Sequence, residues 1–205
     1  MKCSKWTSRR HGAFTLVEIL VVITLVGMLI TMAALTVPGA LASQRLSAAA
    51  RQLSADLNHA TLMARKENRP VEVRFYLMDP LMPPGEVACR GYQVAVVTGW
   101  DAEGRPTTSL DAEMQRLPDD VLLMPSPTYN TLHGKAIHDN DNSNAGGGAP
   151  YVSYFINGDG TTTLPSQAPA VLTLVRETSG RIPASLPSDY RSVVIDPQTH
   201  LCRLY

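Results

Sequence analysis

A basic leader that runs directly into a long apolar segment is the feature that most restricts the fold of this 205-residue chain. Residues 1–13 contain four Lys and Arg residues and no acidic residue, and 18 of the 24 residues in 14–37 are apolar. As an α-helix, a segment of this length extends about 36 Å, which exceeds the roughly 30 Å hydrocarbon core of a bilayer. The sequence therefore predicts a transmembrane helix over residues 14–37.

The distribution of basic residues predicts the orientation of that helix. Four basic residues precede the apolar segment, and the next basic residue is Arg45. Basic residues accumulate in the short loops on the cytoplasmic side of a membrane. We therefore expect a single-pass protein with its N-terminus in the cytoplasm and its C-terminal domain outside.

Glu18 is a carboxylate within the apolar segment. On insertion scales an acidic residue at the membrane centre costs about 2.5–3.5 kcal/mol, and less near the interface. Cleavage between Ala13 and Phe14 would create a new α-amino group one helical turn from Glu18, and a neighbouring subunit could offer the same amine. A buried charge pair adds little stability but sets the register between helices, so such a pair at Glu18 would fix how neighbouring helices align.

Residues 12–18, Gly12-Ala13-Phe14-Thr15-Leu16-Val17-Glu18, resemble the class III signal of type IV prepilins and type II secretion pseudopilins. The resemblance implies that a prepilin peptidase cuts before Phe14 and methylates the new amine, and that Glu18 pairs with the N-terminus of a neighbour. It also implies an inner-membrane protein that joins other pilins or pseudopilins through its N-terminal helix. Ala13 departs from the family pattern, which usually has Gly immediately before the cut.

Residues 64–71 and 116–121 resemble the minor pseudopilin H and FimT group (GspH/FimT), and the similarity is most specific over residues 12–76. Members of that group lie at or near the tips of type II secretion pseudopili or type IV pili and help to initiate assembly. The resemblance therefore implies a minor, low-copy subunit of one of these filaments.

The rest of the chain predicts an α+β fold, in which a long N-terminal helix packs on an antiparallel β domain over residues 70–205. Apolar residues at steps of three and four predict an amphipathic helix over residues 38–69 with a buried face formed by Leu46, Ala50, Leu53, Leu57, Ala60 and Ala64. Alternating residues then predict strands at 71–77, 92–98, 121–124, 151–156, 161–164, 171–176, 191–196 and 200–205. Residues 157–160 predict a hairpin turn, and 79–91, 99–116 and 125–149 predict loops.

Cys89 and Cys202 would both face an oxidising compartment, where a disulfide between them is possible. Two separate thiols are the alternative. Cys3 lies in the leader and would be lost on processing.

Asp139, Asp141 and Ser143 place oxygen atoms at alternate positions, as the start of a calcium loop does. The sixth position is Asn144 instead of Gly and the twelfth is Pro150 instead of Glu, which favours a solvated loop. The prediction is therefore no cofactor, with calcium binding by this loop as the alternative.

Catalytic motifs are not recognisable in the sequence, so we predict a protein that is not an enzyme. Without the four basic residues of the leader, 14 basic residues face 18 acidic ones, a net charge of about −4 that disfavours nucleic acid as a partner.

Two alternatives stay open. A FimT-like minor pilin for DNA uptake would need a basic C-terminal strand, whereas Arg191 and Arg203 are isolated. An ordinary signal peptidase cut after Ala42 would release a secreted soluble β domain.

Overall fold

The computed structural model describes residues 15–80, 85–109, 113–139, 146–178, 180–197, 199 and 201–205, with the side chains of 33–38 and 40 left out of that description. The contacts divide the chain into two units, Met1–Ala42 and Ser43–Tyr205. The second unit contains the hydrophobic core.

One long helix, α1, comprises Leu16–Glu67. It ends where Asn68 adopts a positive φ of 49° and the Arg69 N–H donates to the Ala64 carbonyl oxygen at 3.2 Å. A left-handed residue followed by such a bond is a common C-terminal cap, because it satisfies carbonyls that have no partner within the helix. Pro70 follows and starts the extended chain, so α1 ends two residues before the predicted boundary at 69.

The predicted apolar face of α1 is confirmed. All six of its positions have 0% exposure: Leu46, Ala50, Leu53, Leu57, Ala60 and Ala64. They belong to one core cluster with Val73 and Phe75 of the adjoining sheet. Full burial of each leucine contributes about 1.5–3 kcal/mol relative to exposure, and the alanines allow the helix to approach the sheet closely.

The described residues form a nine-stranded antiparallel sheet. Its strands are β1 Val71–Met78, β2 Ala88–Trp100, β3 Pro106–Ser109, β4 Gln115–Arg116, β5 Val121–Leu123, β6 Tyr151–Ile156, β7 Ala170–Arg176, β8 Tyr190–Ile195 and β9 Cys202–Leu204. The order is β6-β1-β2-β5-β7-β8-β9, and β3 and β4 also pair with β2. The predicted α+β fold class and the antiparallel pairing of β1 with β2 are both confirmed.

Two predictions within the sheet were wrong. The expected strand at 161–164 is reduced to a single bridge between Ile156 and Thr162, with one further backbone bond from the Thr163 N–H to the Phe155 carbonyl oxygen at 3.1 Å. Threonine side chains take other bonds that a ladder would use: the Phe155 N–H donates to Thr163 Oγ1 and the Leu164 N–H donates to Thr162 Oγ1. The predicted loops 79–91 and 99–116 contain the start of β2, its end, and all of β3 and β4. The end of β2 pairs with β3 in a hairpin that turns at 101–105, and the start of β2 pairs with β1. Cross-strand pairing therefore determines these strands, and single-residue propensity does not record it.

The predicted turn at 157–160 is confirmed and lies against the end of α1. The Gly160 N–H donates to the Asn157 carbonyl oxygen at 2.8 Å, and Gly160 has a φ of +88°. A Cβ atom on Gly158 would lie 2.9 Å from the backbone carbonyl carbon of Asn68. Glycine is therefore required at 160 by its conformation and at 158 by the close approach of the helix end.

Candidate assembly site

The described part of the N-terminal segment presents an apolar surface. Between Leu16 and Met32 the large apolar side chains are 46–80% exposed in the single chain. Soluble monomers rarely expose a continuous apolar surface of this kind, so it marks a surface that lipid or another protein covers.

Thr15 and Glu18 form the start of α1. The Glu18 N–H donates to Thr15 Oγ1 at 3.2 Å, and the Ile19 N–H donates to the Thr15 carbonyl oxygen at 3.2 Å. Thr15 is therefore the N-cap residue, and Glu18 stands at the third helical position, where a carboxylate is favoured by the helix dipole. Thr15 is not among the site residues predicted from the sequence, although the spacing Thr-x-x-Glu is the signal of a capping box.

Two threonines within this apolar surface bond to their own helix. Thr24 Oγ1 donates to the Val21 carbonyl oxygen and Thr31 Oγ1 donates to the Met28 carbonyl oxygen, both at 2.8 Å. Hydroxyls that donate to a preceding carbonyl need no partner outside the helix. Among residues 15–32, Glu18 has the one charged side chain, and this side chain is exposed.

The predicted processing site, Gly12, Ala13 and Phe14, lies outside the described residues, so the structure locates Glu18 but not its predicted partner amine. The predicted transmembrane segment 14–37 is likewise described only in part. Among the residues that are described, no helical stretch has both the length and the apolarity needed to cross a membrane.

Polar residues fasten the second half of α1 to the sheet. The Tyr92 hydroxyl donates to Asp56 Oδ2 at 2.6 Å, and Arg191 Nε donates to Ser47 Oγ at 3.1 Å. Burial and the Asp56 carboxylate raise the pKa of Tyr92, so the phenol stays protonated. These contacts hold the part of α1 that lies within the second unit at a defined position on the sheet.

Cys89 and Cys202 are free, buried thiols that the structure does not bring together. Cys89 lies on β2 and Cys202 on β9, and β5, β7 and β8 stand between those strands in the sheet order. Neighbouring strands are about 4.8 Å apart, whereas a disulfide requires Cα atoms within roughly 7 Å. Burial raises the pKa of each thiol to about 12.

Of the weak calcium candidates, Asp139 is described and exposed, while Asp141 and Ser143 lie outside the described residues. Within the ranges that the structure describes, no group of three or more His, Cys, Asp or Glu side chains could hold a metal ion.

The N-terminal part of the chain matches a known family. A family model described as the prokaryotic N-terminal methylation motif matches residues 8–34. That motif is typical of type IV pilins and pseudopilins, and it implies processing by a prepilin peptidase and anchoring in the inner membrane before assembly. No curated protein and no solved structure matches the chain.

Proposed function

We propose that this prepilin-like protein is a minor pilin-like subunit of the GspH/FimT kind. Prepilin peptidase cuts it before Phe14, and it is then assembled into a type II secretion pseudopilus or a type IV pilus. The observation that supports this most directly is the exposed apolar helix from Leu16 to Met32 with one carboxylate, Glu18, in its first turn. The role is structural and involves no catalysis.

The physics of the helix surface explains why Glu18 would direct assembly. Lipid tails are as apolar as leucine side chains, so burial of apolar area alone does not favour a neighbouring helix over lipid. A carboxylate does favour a neighbouring helix over lipid, because a neighbouring helix can supply a positive charge and lipid tails cannot. Pairing with the Phe14 amine of an adjacent subunit would relieve that cost and set the axial register between the two helices.

Substitution of Glu18 tests this proposal. We expect Glu18→Ala to enter the membrane normally but to be depleted from sheared filaments, measured by fractionating cells into membrane and filament pools. Glu67→Ala is the matched control, because Glu67 is an exposed glutamate near the other end of the same helix. Normal incorporation of Glu18→Ala would contradict the proposed pairing.

Cleavage by ordinary signal peptidase is the second candidate, because the boundary between the two units falls between Ala42 and Ser43, where that enzyme would cut. A cut there would release a secreted unit that keeps the core residues of α1. The match to the methylation motif favours the cut before Phe14. N-terminal sequencing of the mature protein decides between them, since it would begin with Phe14 in one case and with Ser43 in the other.

Contacts of Arg191 weigh against the DNA-uptake alternative. Its guanidinium donates to Ser47 Oγ and to the Tyr190 carbonyl oxygen, and it lies 3.8 Å from an Asp189 carboxylate oxygen. These intramolecular partners occupy it, which leaves the exposed Arg203 as the basic residue of the C-terminal strand. A gel shift with duplex DNA at low salt should therefore detect no specific complex.

A further inference from the structure

A cleft of about 740 Å³ lies on the face of the sheet that points away from α1. Val73 and Phe75 of β1 point into the core with the helix, so the alternate residues Glu72 and Arg74 point to the opposite face and form the floor of the cleft. Ligand sites in proteins commonly have volumes of roughly 300–1,000 Å³. The whole cleft is built from the second unit.

The floor of the cleft is a fixed polar surface. Arg74 Nε and Nη2 donate to Glu72 Oε2 at 2.8 and 2.7 Å, and the two side chains are only 7% and 2% exposed. Arg74 Nη2 also donates to Thr108 Oγ1 at 3.1 Å, and the guanidinium lies 4.7 Å from the centre of the Tyr151 ring. A buried ion pair contributes little net stability because of its desolvation cost, so these bonds mainly hold the two groups in position.

Two aromatic pairs form the walls. The Trp100 and Phe155 rings lie 5.8 Å apart, and the His138 and Tyr151 rings lie 5.4 Å apart. Tyr151 and Phe155 are four residues apart on β6 and point to the same side, which separates the two pairs by about 13 Å along the strand. Trp100 is 56% exposed, so much of the ring surface is available to a ligand.

The charges of the cleft are nearly balanced. Its carboxylates come from Glu72, Asp101 and Asp139, and its guanidinium groups from Arg74 and Arg105. Such a lining produces no strong field that would select an ion of either sign. The exposed side chains of Asp101, Arg105 and Asp139 supply hydrogen-bond acceptors and donors around the cleft, and the Thr108 hydroxyl, which accepts from Arg74, can still donate.

We propose that this cleft binds a neutral oligosaccharide. Sugar hydroxyls both donate and accept hydrogen bonds, as the mixed lining requires, and the C–H face of a sugar ring packs on an exposed aromatic ring such as that of Trp100. The role is additional to filament assembly and uses a different unit of the chain. The expected ligand of the cleft is an uncharged glycan chain.

The test uses the full chain in a zwitterionic detergent that contains no sugar. The sequence has two tryptophans, Trp6 and Trp100, so Trp6→Phe leaves Trp100 as the only fluorescent reporter of its kind. The neutral probes are cellohexaose, maltohexaose and hexa-N-acetylchitohexaose, with a heparin hexasaccharide and tetralysine as charged controls. We expect a saturable change in Trp100 fluorescence with at least one neutral hexasaccharide and none with the charged probes.

Calorimetry of two variants tests the location. Trp100→Ala should weaken binding of that hexasaccharide at least tenfold, whereas Tyr205→Ala, which removes an exposed aromatic residue outside the cleft, should leave it unchanged. Because Trp100 is 56% exposed, Trp100→Ala should keep the wild-type far-UV circular dichroism spectrum and a cooperative thermal transition. The proposal is overturned if no neutral hexasaccharide gives saturable binding, if a charged probe binds equally well, or if Tyr205→Ala weakens binding as much as Trp100→Ala.

Discussion

Asn58 on α1 binds both backbone polar groups of Cys202 on β9. The Cys202 N–H donates to Asn58 Oδ1 at 2.8 Å, and Asn58 Nδ2 donates to the Cys202 carbonyl oxygen at 3.3 Å. β9 is the last strand in the sheet order, and unpaired backbone groups on such a strand invite pairing with another chain. The Asn58 side chain therefore satisfies the backbone N–H and carbonyl group of Cys202 that a further strand would otherwise bind.

Asn58→Ala should loosen the C-terminal strand. The substitution leaves partly buried backbone groups without partners, which we expect to lower the free energy of unfolding by about 1–3 kcal/mol. Amide hydrogen exchange at residues 201–205 should accelerate more than exchange in β7. Arg51→Ala, an exposed change on the same helix, is the control, and equal effects of the two substitutions would argue against the clamp.

Gly158→Ala should destabilise the β domain through the contact between the turn and the helix end. The added Cβ would lie 2.9 Å from the Asn68 backbone, which cannot move as a flexible side chain does. Overpacking of this kind costs about 1–3 kcal/mol, measurable by denaturant titration. Gly104→Ala is the comparison, because Gly104 also lies in a turn, with a φ of +75° but open space around it. A smaller loss at 158 than at 104 would disprove the steric explanation.

Stability should fall as the pH rises from about 9 to 12. Burial raises the pKa of Cys89 and of Cys202 to about 12 in the folded protein, while thiols in an unfolded chain ionise near about 8.5. The folded state therefore binds the thiol protons more tightly than the unfolded state does. Between about pH 9 and pH 12, each thiol lowers the free energy of unfolding by up to about 1.4 kcal/mol per pH unit.

The double variant Cys89→Ala and Cys202→Ala isolates this effect. In reducing buffer its free energy of unfolding should decline less steeply above pH 9 than that of the wild type. Identical slopes would mean that the thiols do not contribute. Some decline should remain in the variant, because the pKa of Tyr92 is also raised.

Thr15→Val should loosen the first turn of α1. The substitution keeps the shape of the side chain but removes the oxygen that accepts from the Glu18 N–H. Loss of an N-cap costs about 0.5–2 kcal/mol, so amide exchange at residues 16–19 should be faster, with Thr15→Ser restoring the wild-type rate. Unchanged exchange in Thr15→Val would show that the cap does not hold this turn.

Local periodicity in the sequence was sufficient to predict the elements that bury one face. Leu46 and Leu53 recur at helical spacing, and the alternation of Val73 and Phe75 predicted β1, because a single buried face imposes a regular repeat on the residues that form it. The N-terminal motif of residues 12–18 was recognisable in the sequence because it is one short run of consecutive residues, and it lies within the 8–34 match to the methylation motif.

Polar contacts between segments that are far apart in the sequence could be found only in the tertiary structure. Glu72 and Arg74 point away from the core and are still nearly fully buried, because Arg74 bonds to Glu72 and to Thr108, which lies 34 residues further along the chain. Asn58, which has no special place in the helical pattern, reaches β9 from 144 residues away. Contacts between distant segments leave no regular repeat in either segment, so they cannot be read from the sequence alone. The sequence by itself therefore determines the helix, most strands and their buried faces. Only the tertiary structure brings together the polar groups of the cleft and the side chain that binds the edge strand.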